Sequence, residues 1–150
     1  MKFLFISLFM IALGVNAKCQ SADDSVKAAV NQLFTAMKTS DGALLFSCFA
    51  DSALLQTITK NKGGEIIIKN ESVKEFATSI SSAPVGALDE RIRFDMIKID
   101  GVLASVWTPY SFYYNNKFSH CGVNVLLLIR TNNGWKIQYI IDTRRKGNCL

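Results

Sequence analysis

Apolar positions recur at helical spacing early in the chain and alternate at strand spacing through its second half. In SVKAAVNQLFTAMK (25–38), Val26, Ala29, Val30, Leu33, Phe34 and Met37 fall three and four apart, the stripe of an amphipathic helix. Asp23, Asp24 and Ser25 supply its N-terminal acids and cap. Thr39-Ser40-Asp41-Gly42 breaks that helix, and ALLFSCFA (43–50) predicts a short second one capped by Asp41. SALLQTIT and GEIIIK predict short strands around the polar KNKGG turn. NESVKEFATSI predicts a third helix, with Asn70 as cap and Val73, Phe76, Ala77 and Ile80 on one face.

Everything after Ala83 predicts sheet. ERIRFDMIKID, VLASVWTPYSFYY, KFSHCGVNVLLLIR and WKIQYIIDTR are joined at Asp100-Gly101, Asn115-Asn116 and TNNG, residues that tolerate the positive φ of hairpin turns. The order is helix, helix, two strands, helix, four-strand meander, an α+β chain.

Directly opposed residues share a face of a sheet. With two-residue loops at Asp100-Gly101 and Asn115-Asn116, Phe94 lies opposite Trp107, Trp107 opposite Asn124 and His120 opposite Ser111. A four-residue TNNG loop sets Arg130 against Trp135 and Asn124 against Ile141. One face then collects Phe94, Trp107, Tyr113, His120, Asn124, Leu126, Leu128, Trp135, Ile137, Tyr139, Ile141 and Thr143, an apolar core grading into a polar end. The other face holds Tyr110, Phe112, Cys121, Val123, Val125, Leu127 and Ile129, with Lys136, Gln138 and Asp142 among them. It is too apolar to be wholly wet, so a partner is expected to cover it. His120 and Cys121, adjacent in sequence, point to opposite faces and cannot form one metal site or one catalytic pair. Asp142 would reach the pocket only if a one-residue bulge turned it inward.

The first residues add a processing signal. Lys2, an apolar run from Phe3 to Val15 and the small-residue site Val15-Asn16-Ala17 form a secretory signal peptide over 1–17, leaving 18–150 as a single domain. A membrane span needs roughly 20 apolar residues, so no stable insertion is expected after cleavage. Lys18 before Cys19 argues against a lipoprotein anchor. The expected destination is the periplasm or the extracellular space.

Charge is uneven. Residues 101–150 carry six basic residues against the single acid Asp142, a field that favours an anionic ligand if it faces a site. Nucleic acid is not an expected partner, since the basic residues are scattered along strands without a recognition motif. Cys19, Cys48, Cys121 and Cys149 lack the short spacings of zinc sites, and no Gly-rich phosphate loop occurs, so neither metal nor cofactor is expected. Four cysteines allow three full pairings. Cys48 and Cys121, in apolar contexts, are expected to be buried thiols, and Cys19 and Cys149 to lie at accessible ends.

The element order, with VWTPYSFYYNNKFSHCGVNVLLLI and NNGWKIQYIIDTRR, resembles the nuclear transport factor 2-like (NTF2-like) superfamily, and within it the SnoaL-like and lumazine-binding-like families of bacteria. The resemblance implies a cone, a curved antiparallel sheet wrapped around N-terminal helices with a ligand pocket at its open end, and a homodimer through the sheet. Some members are isomerases, cyclases or dehydratases, and many only bind. Binding of a small aromatic or anionic ligand is therefore the favoured expectation, through Trp107, Tyr113, His120, Asn124, Tyr139 and Thr143. An acid–base enzyme using His120 or Asp142, and an envelope interaction domain working through the apolar sheet face, are the alternatives.

Overall fold

The computed structural model describes residues 21–149. The signal-peptide reading and Cys19 lie outside the described residues. Two helices, α1 (Ala22–Thr39) and α2 (Gly42–Ser47), precede strands β1 (Phe49–Lys60) and β2 (Ile66–Glu71). Helix α3 (Val73–Ser81) leads into β3 (Leu88–Ile92), β4 (Met96–Asp100), β5 (Leu103–Tyr114), β6 (Lys117–Thr131) and β7 (Gly134–Arg145).

Local chemistry moves several predicted boundaries. The cap of α1 is Ser21, whose hydroxyl accepts from Asp24 N at 3.1 Å, in place of the expected Ser25. Helix α2 is capped by Asp41 as expected, but it ends before Phe49, because Ile137 N donates to Cys48 O and draws the chain into the sheet. The cap of α3 is Ser72, in a reciprocal capping box with Glu75. Asn70, the expected cap, belongs to β2 and accepts from Gln56 Nε2.

The seven strands form one curved, unclosed sheet in the order β2-β1-β7-β6-β5-β3, with β4 also on β5. It is mixed where an antiparallel sheet was expected. The fourth meander strand, β7, closes against the free edge of β1, and the two run parallel. The expected single strand 90–100 is broken into β3 and β4 opposite Pro109, which accepts from Arg93 N but has no N–H to return. The first hairpin turns at Gly101-Val102, with Gly101 at φ +57° and Asp100 paired to Leu103, one residue later than expected. Asn115 and Asn116, both at positive φ, make the expected turn between β5 and β6.

Two bulges change which residues face inward. Past the Asn115-Asn116 turn, Tyr113 pairs with Phe118, but Phe112 then pairs with His120, so Ser119 is an extra residue. In β7, Leu128 pairs with Ile137 and Leu127 with Tyr139, leaving Gln138 extra. Asn124 consequently opposes Thr108 and Asp142, not Trp107 and Ile141. Trp135 and Ile137 face the helices before the β7 bulge; Ile140, Asp142 and Arg144 face them after it.

The helices fill the concave side. Val26, Val30 and Leu33 of α1 and Leu45 of α2 pack against Ala104, Val106, Leu126, Leu128 and Ile137, all essentially without solvent contact. The convex side carries Trp107, Val125, Leu127, Tyr139 and Ile141, and no described element covers it; Trp107 is 40% exposed. Among the described residues no helix is long and apolar enough to cross a membrane.

Cys48 is a buried thiol, as expected. Cys121 is not: it is disulfide-bonded to Cys149, with Cα atoms 5.7 Å apart, because residues 146–149 fold back beside β6 as Arg145 Nε donates to Asn148 O. The bridge closes a span of 28 residues. Cys149→Ser is expected to cost about 2 to 4 kcal/mol in denaturant unfolding. An unreduced mass showing Cys121 and Cys149 as free thiols would contradict the pairing.

Candidate ligand pocket

Between the helices and the concave sheet lies an open cavity of about 300 Å³. Its walls are apolar: Leu33, Phe34 and Met37 from α1, Phe76 and Ile80 from α3, and Leu55, Leu88, Phe112 and Ile140 from the sheet. The amphipathic stripes of α1 and α3 put these groups there. At one end the sheet contributes polar groups instead: Thr57 of β1, Glu71 of β2, Glu90 of β3, Tyr110 of β5, His120 and Asn124 of β6, and Asp142 and Arg144 of β7.

Asp142 is the hub of this end. It is 9% exposed, and its carboxylate accepts from Thr57 Oγ1 at 2.6 Å, Arg144 Nε at 2.8 Å and Tyr110 OH at 3.3 Å. Arg144 Nη2 also donates to Thr57 Oγ1, closing the triangle. A buried carboxylate survives only when paired and hydrogen-bonded in this way. Tyr110 also donates to Thr143 O at 3.0 Å. Burial, followed by the charges of Asp142 and Glu90, pushes its phenol far above the ordinary range, so it stays a donor.

Gly122 lets Tyr110 lie there. A Cβ at Gly122 would collide with the Thr143 carbonyl and sit 2.8 Å from Tyr110 Cε1. The glycine marks a close approach of ring and backbone across the sheet.

Glu90 is the second carboxyl. Asn124 Nδ2 donates to its Oε1 at 2.8 Å. Burial pushes Glu90 up to about 7; the Asn124 bond opposes the shift, Asp142 adds to it and Arg144 opposes it. Glu71, at the rim, is also raised, chiefly by burial. The His120 ring packs 5.0 Å from Phe112 and edge-on to Tyr110 at 5.8 Å, with Nδ1 3.0 Å from Ser119 Oγ. Burial, then Arg144, lowers its pKa, and it is neutral at pH 7.

Of the six residues the sequence puts in the site, His120 and Asn124 line the cavity. The other four do not, because the bulges at Ser119 and Gln138 reverse their faces relative to these two. Trp107 is on the convex side. Tyr113 lies under the Arg91 guanidinium, 4.2 Å from the ring centroid, and edge-on to Phe118. Tyr139 donates to Gln56 Oε1 at 2.6 Å, and Thr143 Oγ1 accepts from Val123 N. Tyr110 and Phe112, expected on the back face, line the cavity instead. Glu90, Thr57, Glu71 and Arg144 were not anticipated in the site; Asp142 enters it through the bulge that its inward reading requires. The signal for that bulge is the apolar triplet Tyr139-Ile140-Ile141, which breaks the alternation of β7.

An incomplete sheet wrapped over helices around an open, half-apolar cavity defines the class of cone-shaped α+β pocket proteins. The fold is NTF2-like. An NTF2-like protein of unknown function from Shewanella baltica OS155 superposes with a TM-score of 0.63 over 82% of this chain and 93% of that one, at 10% identity. One from Methylobacillus flagellatus KT gives 0.62 over 83% and 94%, at 18% identity. A dehydratase candidate of the NTF2-like family from Streptomyces avermitilis gives 0.60 over 83% and 96%, at 14% identity. No family model matches the chain, and no curated protein matches it by sequence.

The raised pKa of Glu90 has a stability consequence. Below its ordinary value of 4.5 the carboxyl is protonated whether the chain is folded or not; between there and about 7 the folded state holds the extra proton. Stability is therefore lost as pH rises through that window, by at most roughly 3 kcal/mol, and the loss stops above it. Glu90→Gln is expected to flatten the wild-type slope in denaturant melts across the window. An unchanged slope would place the Glu90 carboxyl in water.

Proposed function

We propose that this chain is an exported small-molecule-binding protein whose ligand occupies the cone with its polar end toward Glu90, Asn124 and His120. The observation that carries the reading is the cavity itself. An apolar wall meets convergent polar groups, some of whose acceptors no donor among the described residues engages, as in sites that orient a ligand by a few bonds. Its volume of about 300 Å³ suits a compact molecule. Of the six basic residues after position 100, Arg144 alone lines the cavity, and it is paired with Asp142. That pairing weighs against the anionic ligand expected from the charge distribution. Export is supported by the leader pattern over 1–17 and by the Cys121–Cys149 bridge, a bond that persists in oxidising compartments.

Acid–base catalysis is a second reading, favoured by Glu90. A carboxyl titrating near 7 in a partly dry site has the properties of a general acid or base, and the fold is shared with a dehydratase candidate. Binding is the better supported of the two. Asp142, engaged by Thr57, Tyr110 and Arg144, has the bonding of a structural anchor more than of a free base.

The convex apolar face supports a homodimer. Trp107, Val125, Leu127 and Ile141 form a patch that a second copy would remove from water.

Two outcomes check these readings. Ser79 lines the cavity from the exposed side of α3, so Ser79→Trp is expected to block the mouth and remove a co-purifying small molecule seen by native mass spectrometry, with the fold intact by circular dichroism. Retention of that molecule by the variant would place its site elsewhere. Sedimentation at micromolar concentration is expected to show a dimer that Leu127→Arg splits, and a wild-type monomer would contradict the assembly.

A further inference from the structure

Resting on the reading of the cone as a ligand site, we propose that its polar end takes a protonated amine carried on a compact apolar skeleton. Most donors at this end are engaged within the protein; the exception is His120, whose Nδ1 lies 3.0 Å from Ser119 Oγ and whose Nε2 has no described partner. Thr57 Oγ1 and Tyr110 OH donate to Asp142, and Asn124 Nδ2 donates to Glu90. Arg144 uses Nε on Asp142 and Nη2 on Thr57, and its side chain is 51% exposed.

The acceptors are not engaged in the same way. Asn124 is 4% exposed and lines the cavity; its amide nitrogen is fixed on Glu90, and among the described residues no group donates to its Oδ1. Glu90 receives its one bond at Oε1, which leaves Oε2 without a described donor. Glu71 adds a carboxylate at the rim. Three carboxyl groups and one guanidinium line this cavity, and that guanidinium already neutralises Asp142. An ammonium has three donors and no acceptor, the complement of such a site. A carboxylate ligand would meet like charge, and a carbonyl ligand would leave Asn124 Oδ1 unanswered. The apolar wall of Leu33, Phe34, Phe76 and Phe112 fits the skeleton that carries the amine.

Glu90 links amine binding to pH. The charged or titratable groups around it are Asp142 and Arg144 of β7, His120 of β6, Tyr110 of β5, Glu71 of β2 and its own neighbours Asp89 and Arg91, which pair with each other. Lys38 of α1 lies across a second, shallower cleft that Glu90 also borders. A cation favours the ionised carboxyl, so binding below pH 7 must first displace the Glu90 proton.

The test is calorimetry of the full chain with three probes of one skeleton: phenethylamine, phenethyl alcohol and phenylacetate. The amine is expected to bind at least about tenfold more tightly than the alcohol at neutral pH, and phenylacetate most weakly. Amine affinity should rise about tenfold between about pH 6 and pH 8, while that of the alcohol stays level. In Glu90→Gln the amine should lose both its advantage over the alcohol and its pH dependence. Should that variant not fold, the wild-type pH series tests the same point, and a level amine affinity across it would overturn the role of Glu90. Alcohol binding as tight as amine binding would overturn the ammonium site and leave the cone a ligand pocket. No binding by any of the three would overturn both.

Discussion

Side chains on a strand alternate between faces, so one extra residue decides which polar groups a sheet presents to its core. Gln138 is that residue in β7. Before it, Trp135 and Ile137 seal the base of the cone; after it, Ile140, Asp142 and Arg144 occupy the inward positions. Ser119 has the complementary effect in β6, returning His120 to the face of Phe112, Tyr110 and Asn124. Without the β7 bulge, Asp142 and Arg144 would be convex and the concave end would receive Ile141 and Thr143. The cavity would then keep Glu90, Asn124 and His120 but lose the carboxylate and guanidinium that β7 supplies.

Turning a carboxylate inward is costly unless it is paired, and the neighbouring strands supply the pairing. Thr57 arrives through the parallel contact of β1 with β7, and Tyr110 reaches across β6 because Gly122 has no side chain in its way. Glu90 has Asn124 but no cation, and so answers burial by holding its proton to about pH 7. Two acids in one cavity thus differ in partners: one is locked into the sheet, the other is available to whatever enters.

Much of the fold was legible in the sequence. The helical spacing in 25–38 placed Val26, Val30, Leu33, Phe34 and Met37 in the core where the structure has them, and Asn115-Asn116 marked a true hairpin turn. Element order and the strand motifs pointed to the NTF2-like cone that the solved structures share. The site was legible only in part. His120 and Asn124 were found from alternation, but Trp107, Tyr113, Tyr139 and Thr143 were assigned by a register that ran unbroken from turn to turn. Bulges leave little trace in one sequence; Tyr139-Ile140-Ile141 is a trace, whereas Ser119 has none. Glu90 was hidden for a further reason: ERIRFDMIKID alternates as one strand, and only the missing N–H of Pro109 breaks its ladder. The Cys121–Cys149 bridge depends on the path of the chain after β7, which periodicity does not describe.

Because Asp142 and Arg144 share the face of Asn124 and His120 only in the bulged register, backbone nuclear Overhauser contacts across β5, β6 and β7 probe the foundation of this site. Cross-strand contacts are expected to pair Asn124 with Asp142 and with Thr108, and Phe112 with His120. Contacts pairing Asn124 with Ile141 and Trp107, and His120 with Ser111, would contradict the bulges and turn Asp142 and Arg144 out of the cone.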